Sequence, residues 1–479
     1  MITPSEAQQA TGGQWLTQPL AADMPLQGGC FDTRAIDGKQ IFFALRGEQA
    51  DGHDYLPRLA GTAVRLAIVS RDVSVPGFDG AVLRVDDVLA ALAALARFVV
   101  RKHAPKVVAL TGSYGKTTTK EVVAHVLMGA LRVLKTPGSL NNEIGVPIAL
   151  LDLDGSHDVA VLEFSARKPG DIDYLGRIAP PHVAVLLAVG HAHIGVFGSR
   201  EAIYKTKGEI FHHLHPDGLA IVNADDPRLA ELAAGRRLVS FGREGGSYRA
   251  EHVAFDPDGR QTFTAVCDDG RMDCHAGSPG PHGLFPILVA WAVARELDLP
   301  DALVAARCGV HPAQKGRAMP IAAPGGALLI DDTYNASPET VVNLIGTLVA
   351  IEATERILVL GHLSELEEGL GDSVAHIAGA ITPPLTEVWV HAPHMPDFGR
   401  QLAAAAGGAV PVHAEPDLAR LITTLQARDR KGVAMGFKGA RSAHLERAVQ
   451  GLLGVAVECR RPFCDLLMAC SACQQLTAS

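Results

Sequence analysis

A chain of 479 residues, 48% hydrophobic and 20% charged, has the make-up of a folded globular protein and the length of about three domains. Its net charge of −9 excludes a nucleic-acid backbone as the main partner, because no basic excess exists to displace counterions. The longest apolar stretch, Val88 to Val100, is interrupted and too short to span a bilayer, so membrane insertion is excluded as well.

The first residues, Met1-Ile2-Thr3-Pro4-Ser5-Glu6, lack the basic-then-apolar layout of a secretory signal, and the cytoplasm is the expected compartment. Up to about Val85, short apolar runs (Gln40 to Leu45, Ala63 to Val69) alternate with polar turns, as in a small α/β unit. A helix is expected over Val88 to Arg101, feeding the apolar run Val107 to Leu110. That run ends in Thr111-Gly112-Ser113-Tyr114-Gly115-Lys116-Thr117-Thr118, which opens another helix. Strand-like runs at Val159 to Leu162, Val183 to Leu187 and Leu219 to Val222 recur between helical patterns. Such alternation argues a mostly parallel sheet with ligands at the strands' C-terminal ends. After Cys308 to Arg317 a third α/β pattern begins, with apolar runs at Ala327 to Ile330, Ile357 to Leu360 and Glu387 to Val390. The expected fold class is therefore α/β in three domains. Their bounds are 1–85, a central 86–314 around the glycine-bracketed loop, and a Rossmann-like 315–455, with 456–479 as an appended tail.

The loop carries the first chemistry. Glycines let backbone N–H groups close around phosphate oxygens, Lys116 can reach the terminal phosphates, and the Thr117 hydroxyl suits Mg²⁺. The pattern is G-x-x-G-K-T, one step short of the strict phosphate loop, and it also reads as a glycine-rich turn with an exposed lysine. Glu163 ends its strand, where a carboxylate is either a Mg²⁺ ligand or simply solvated. His191 and His193 lie two apart on a glycine-rich loop after a strand, a placement for metal, phosphate or a structural role. Lys205 and Lys207 fall on a helix expected over Arg200 to Phe211, where most lysines are solvated. Asp331 and Asp332 follow an apolar strand, placed for ribose hydroxyls or for capping a helix. Cys30, Cys267, Cys274 and Cys308 are isolated and read as buried free thiols. Cys459, Cys464, Cys470 and Cys473 crowd the C-terminal end. The last two have metal-ligand spacing, but no second C-x-x-C lies near, and the stretch reads as a loosely ordered tail.

These pieces, in this order, resemble the Mur ligase family, and within it the MurF type, from Cys30 to about Leu452. Four motifs carry the resemblance: Thr136-Pro137-Gly138-Ser139-Leu140-Asn141-Asn142-Glu143, Lys205-Thr206-Lys207-Gly208-Glu209, Leu329-Ile330-Asp331-Asp332-Thr333-Tyr334-Asn335, and Lys438-Gly439-Ala440-Arg441-Ser442. Asp32-Thr33-Arg34 is similar to part of the family's N-terminal nucleotide-sugar domain. The resemblance implies an ATP-dependent amide-bond ligase, a monomer acting on a small-molecule acid and amine. A carboxylate attacks the γ-phosphate of ATP, and an amine then displaces phosphate from the acyl phosphate. Implied for ATP are Gly112, Ser113, Tyr114, Gly115, Lys116, Thr117, Thr118, His282, Arg317, Asp332 and Asn335. Implied for two Mg²⁺ ions are Thr117, Glu163, His193 and Lys207, the last as a carbamate. Thr33, Arg34, Thr136, Asn141, Asn142, Lys438 and Arg441 would face the substrates, and Lys116, Glu163, His193 and Lys207 form the expected catalytic set.

The departures from the family pattern are specific. The family's His-Asn-x-x-Asn stands here as His282-Gly283-Leu284-Phe285-Pro286, without the two amides that read adenine. His193-Ile194-Gly195 lacks the carboxylate of the family's His-Leu-Glu/Asp, Gly361-His362-Leu363 replaces Gly-Asp-Met, and Ser139 replaces an asparagine. A phosphate and metal machinery kept beside altered adenine- and amine-side readers leads us to expect a ligase redirected to another substrate pair. The alternatives are the peptidoglycan enzyme that adds D-alanyl-D-alanine to a nucleotide-linked tripeptide, and a nucleotide-binding pseudo-enzyme.

Overall fold

The computed structural model describes residues 1–47, 50–190, 194–243, 245–310, 314–363, 370–461, 463–464, 470 and 473. They form two compact units. The first comprises Met1–Ala188, Glu201–Ser240 and Ala292–Leu299, the second Val189–Arg200, Phe241–Trp291 and Pro300–Ser479.

The first unit begins with a five-stranded sheet in the spatial order Gln14–Trp15, Ala81–Arg84, Leu66–Val69, Ile41–Phe43, Gly29–Cys30. Only the pairing of Gln14–Trp15 is antiparallel. Leu66–Val69 is buried throughout, which is why it reads as an unbroken apolar run and not as an alternating one. The helix Val88–His103 follows, its first turn capped by the Asp87 carboxylate, which accepts from the N–H groups of Leu89 and Ala90. It runs two residues past the apolar pattern because Arg101, Lys102 and His103 suit the negative end of the helix dipole, and the chain turns away only at left-handed Ala104.

Five parallel strands then stand in the order Leu219–Asn223, Val183–Leu186, Lys106–Thr111, Val159–Glu163, Val133–Lys135. In the three central strands every residue but Lys106 is buried. The register pairs Leu110 with Glu163, so the start of the loop and the strand-end carboxylate share one edge of the sheet. That edge is the C-terminal one expected to hold ligands.

The second unit contains an antiparallel ribbon, Tyr248–Phe255, Arg260–Cys267 and Gly270–Pro279, that the sequence reading does not resolve as strands. Its middle strand alternates half-buried and buried positions, the two-residue period of a strand covered on one face. A six-stranded sheet follows in the order Met319–Ala322, Leu328–Asp332, Val433–Lys438, Glu355–Leu360, Glu387–Val390, Val412–Ala414. All its pairings are parallel except that of Met319–Ala322. Two apolar clusters pack on it, one around Leu344, Leu348, Ile377 and Phe398, the other around Leu421, Leu425, Phe437 and Ala448. The helix Pro338–Ala350 is capped by Ser337 in a reciprocal box with Thr340, so neither Asp331 nor Asp332 caps it. Cys30, Cys267, Cys274 and Cys308 are buried free thiols, as read from the sequence. No described helix is long and apolar enough to cross a membrane.

Candidate active site

The glycine-bracketed loop joins the strand Lys106–Thr111 to the helix Lys116–Leu127. Gly112 is required by a close approach: a Cβ there would lie 3.1 Å from the Leu187 Cβ and 3.2 Å from the Ala188 nitrogen. Ser113 N–H donates to the Ala188 carbonyl at 2.8 Å, and Gly115 enters the helix at a left-handed φ of 80°. Half-buried Lys116 folds over this loop, its ammonium donating to the carbonyls of Gly112 at 2.7 Å and Ser113 at 3.5 Å. Thr117 is buried at the first turn of the helix.

Glu163 is 1% exposed, which removes the solvated reading. Its backbone N–H donates to Thr136 Oγ1 at 3.2 Å, and Asn141 Nδ2 donates to its Oε1 at 2.7 Å. Its Oε2 is buried with no hydrogen-bond partner among the described residues. A buried carboxylate with one oxygen held and one unclaimed is an unfavourable arrangement unless a cation completes it. A hard oxygen donor of this kind fits Mg²⁺.

Lys120 is a buried charged side chain that sequence reasoning passed over. It is 0% exposed, and its ammonium donates to the carbonyls of Thr136 at 2.6 Å and Gly138 at 2.8 Å and pairs with Glu121 at 3.0 Å. Glu121 also pairs with Lys135. The lysine thereby ties the loop helix to the segment that carries Thr136 and Asn141. Its signal in the sequence was a lysine four residues, about one helical turn, after Lys116. Asn142 Oδ1 accepts from Gly145 N–H at 2.9 Å and orders the start of the helix Gly145–Leu150.

Of the two helical lysines, Lys205 is exposed and Lys207 is 3% exposed. Burial, then the Lys116 charge, push the Lys207 amine down to about 7, against the pull of Glu209, Asp171 and Glu163. Glu209 accepts from the N–H groups of Gly170 and Asp173. His193 lies outside the described residues. In the N-terminal sheet region Arg34 forms a two-pronged pair with Asp32, its side chain 83% exposed, beside half-buried Thr33.

In the second unit, Asp332 and Lys438 end neighbouring parallel strands and form an ion pair at 2.6 Å. Lys438 is 3% exposed and also donates to the Asn335 carbonyl at 2.8 Å. Burial lowers its pKa against the opposing pull of Asp332. The Arg317 guanidinium lies 4.0 Å over the Tyr334 ring and that of Arg441 5.8 Å from it. Arg317, Asp332, Asn335, Lys438 and Arg441 are thus one constellation. His282 is half-buried, its ring 5.5 Å from that of Phe285. A Cβ at Gly283 would lie 2.9 Å from both the Ala276 Cβ and the Ser278 carbonyl, so an asparagine cannot stand there on this backbone. Fully buried Gln261 instead accepts from Leu284 N–H at 3.0 Å. His362, in place of a carboxylate, is buried with Nε2 2.7 Å from Ser442 Oγ, and burial followed by neighbouring histidines pushes it down to about 3. It is an uncharged side chain at neutral pH.

Residues 110–294 match the Mur ligase middle domain, and residues 316–441 match the Mur ligase glutamate ligase domain. A UDP-N-acetylmuramoyl-tripeptide--D-alanyl-D-alanine ligase from Mycobacterium tuberculosis is 38% identical over 366 residues, covering 71% of this chain and 72% of its own. The chain belongs to the Mur ligase family. MurF from Acinetobacter baumannii superimposes with a TM-score of 0.85 at 30% identity, covering 94% of this chain and 98% of that one. MurF from Thermotoga maritima, solved in complex with ADP, gives a TM-score of 0.77 at 28% identity over 90% and 97% of the two chains. The three-domain Mur ligase architecture and the chemistry of an ATP-dependent ligase that forms C–N bonds come with this membership. The expected redirection to another substrate pair finds no support in these relatives, whose names point to the peptidoglycan alternative.

Asn141 gives a test of how the Mur ligase carboxylate is supported. Asn141→Ala is expected to raise the Mg²⁺ concentration needed for half-maximal turnover by about 10–100-fold, the usual effect of losing a partner of a metal ligand. The measurement is a Mg²⁺ titration of ADP release. A rise in KM for the acid substrate with unchanged Mg²⁺ dependence would place Asn141 on the substrate instead.

Proposed function

We propose that this Mur ligase joins D-alanyl-D-alanine to UDP-N-acetylmuramoyl-tripeptide, driven by ATP conversion to ADP and phosphate. The observation that carries the proposal is the Lys116 loop at one sheet edge with buried Glu163, and with a Lys207 amine that both groups influence. The shared name of relatives at 30–38% identity supplies the substrate pair.

The chemistry requires a triphosphate and a carboxylate, both anions, to meet in line. Positioning and cation clamps carry such a reaction, since protein covalent chemistry contributes little. Lys116 and the loop from Gly112 to Thr118 hold the β,γ-phosphates while the tripeptide carboxylate attacks the γ-phosphorus and ADP leaves. The neutral amine of the dipeptide then adds to the acyl phosphate, its nitrogen loses one proton, and phosphate departs with the carbonyl re-formed. Thr117 and Glu163 would hold one Mg²⁺, and His193 with a carbamylated Lys207 a second, which when bound neutralise the phosphate charge. Arg317, Asp332, Asn335 and His282 are proposed nucleotide contacts, and Thr33, Arg34, Thr136, Asn142, Lys438 and Arg441 proposed substrate contacts. We take 1–85, 86–314 and 315–455 as the working domains of a cytoplasmic monomer.

The experiment is direct. Purified chain with ATP, Mg²⁺, the nucleotide-linked tripeptide and D-alanyl-D-alanine should yield amide product at about 1–10² s⁻¹, the ordinary enzyme range. Product is followed by mass spectrometry. Turnover with other small amines but not with this dipeptide would overturn the proposal and return the redirected pair, for which uncharged His362 in place of a carboxylate is the motivating residue.

A further inference from the structure

The tail residue Cys470 is buried, where a loosely ordered tail was expected, and it completes a second set of donor atoms. His444 closes the short turn Arg441–Ala443, and Glu446 opens the helix Glu446–Leu452. His444 Nδ1 lies 3.2 Å from Cys470 Sγ and 3.2 Å from Glu446 Oε1. All three side chains are buried, and their donor atoms lie within 4.8 Å of one another. Cys470 N–H also donates to Glu446 Oε1 at 3.3 Å. The tail is fastened upstream too, through Arg447 to the Arg461 carbonyl at 2.8 Å and Cys464 N–H to the Ser442 carbonyl at 3.1 Å.

Three polar side chains buried together are unfavourable unless their atoms are all satisfied. Here Glu446 Oε2 and His444 Nε2 are buried without a hydrogen-bond partner among the described residues. Arg441 donates to Glu446 Oε1 at 2.8 Å, so one carboxylate oxygen is engaged and the other unclaimed. A tetrahedral zinc with bonds of about 2.0–2.3 Å keeps its donors about 3.3–3.8 Å apart, close to the separations of this cluster. A sulfur, a nitrogen and an oxygen suit a borderline divalent ion, whereas Mg²⁺ selects oxygens alone.

We propose that His444, Glu446 and Cys470 bind a structural zinc ion, with Cys473 as fourth ligand, and that the ion locks the tail onto the segment carrying Lys438 and Arg441. Cys473 stands at C-x-x-C spacing, and its N–H donates to the Cys470 carbonyl at 3.0 Å, a turn that suits two thiolates on one metal. Binding releases one proton from each thiol to solvent and oxidises nothing. Cys459, whose sulfur accepts from Arg447 at 3.7 Å, stays outside the set and serves as a control.

The full chain, stripped with chelator under reducing conditions, would be given excess zinc, desalted and assayed by atomic emission. About one zinc per chain is expected for wild type and for Cys459→Ser, since a single closed site is filled. Cobalt in its place should give a thiolate charge-transfer band. Cys470→Ser should lose both signals while its circular dichroism stays that of wild type, because the substitution lies in the tail. His444→Gln should lose them as well. Zinc should raise the melting temperature of wild type and leave that of Cys470→Ser unchanged. A wild type that retains no zinc, a Cys470→Ser variant that binds as tightly as wild type, or a Cys470–Cys473 disulfide in the native protein would each overturn the proposal.

Discussion

Lys116→Ala is expected to slow acid-dependent ADP release by about 10²-fold or more, in the range found when a transition-state cation or donor is removed. The fold should survive. The ammonium donates to the loop carbonyls of Gly112 and Ser113, and alanine at the first helical position is a strong helix former. The lysine acts as a point charge, and the loop's backbone N–H groups cannot replace it on the terminal phosphate. Turnover by a coupled ADP assay, beside an unchanged thermal melt, is the pair of readouts. A folded variant with near-normal turnover would remove Lys116 from the proposed site. The substitution has a second consequence, because the Lys116 charge is one of the two causes that hold the Lys207 amine down.

The alternation of apolar runs placed four of the five parallel strands of the central sheet and Leu328–Asp332, Glu355–Leu360 and Glu387–Val390 of the C-terminal one, because strands buried on both faces leave continuous hydrophobic stretches, but it passed over Val133–Lys135, Val412–Ala414 and Val433–Lys438. It did not resolve the ribbon of residues 248–279, whose half-covered strands carry polar residues at every second position and look like loop. The loop and Glu163 were legible because their geometry is local: a strand end, a turn and a helix start. Lys120 and Gln261 were not, since burial of a charged or amide side chain depends on hydrogen-bond partners supplied from distant segments. Gly283 was legible as a departure but not as a necessity, for the backbone of residues 276–278 that excludes a side chain there comes from the ribbon. Asp331 and Asp332 read as a pair and separate in the structure. Asp331 is buried with Thr333 and has its pKa raised by burial, while Asp332 takes Lys438. The C-x-x-C spacing of the tail was legible but its anchoring was not, because the partners of Cys470 lie 24 and 26 positions upstream.

Lys207 carries the last prediction. An unperturbed lysine, near 10.5, is neutral in only about one molecule in 10³ at pH 7, and a protonated amine cannot react with carbon dioxide. With its amine pushed down to about 7, Lys207 is neutral in a large fraction of molecules at that pH. The nitrogen lone pair then forms the N–C bond, one proton leaves, and the product is a carbamate anion where an ammonium would repel Mg²⁺. Lys207→Ala is expected to lose about 10²-fold or more in turnover, the scale of a lost electrostatic group, and to recover part of it with small carboxylates. Wild type depleted of carbon dioxide should regain activity on adding bicarbonate, readily above pH 7 and poorly below it. Stability changes with pH in the same direction. A lysine whose folded pKa lies below its unfolded value lets the unfolded chain bind the extra proton between about 10.5 and about 7, so it lowers stability as pH falls through that window. Lys207→Met should therefore melt at a higher temperature than uncarbamylated wild type at pH 7 while remaining inactive. Full activity of Lys207→Ala, or no carbamate resonance from active protein supplied with carbon-13 bicarbonate, would end the carbamate assignment.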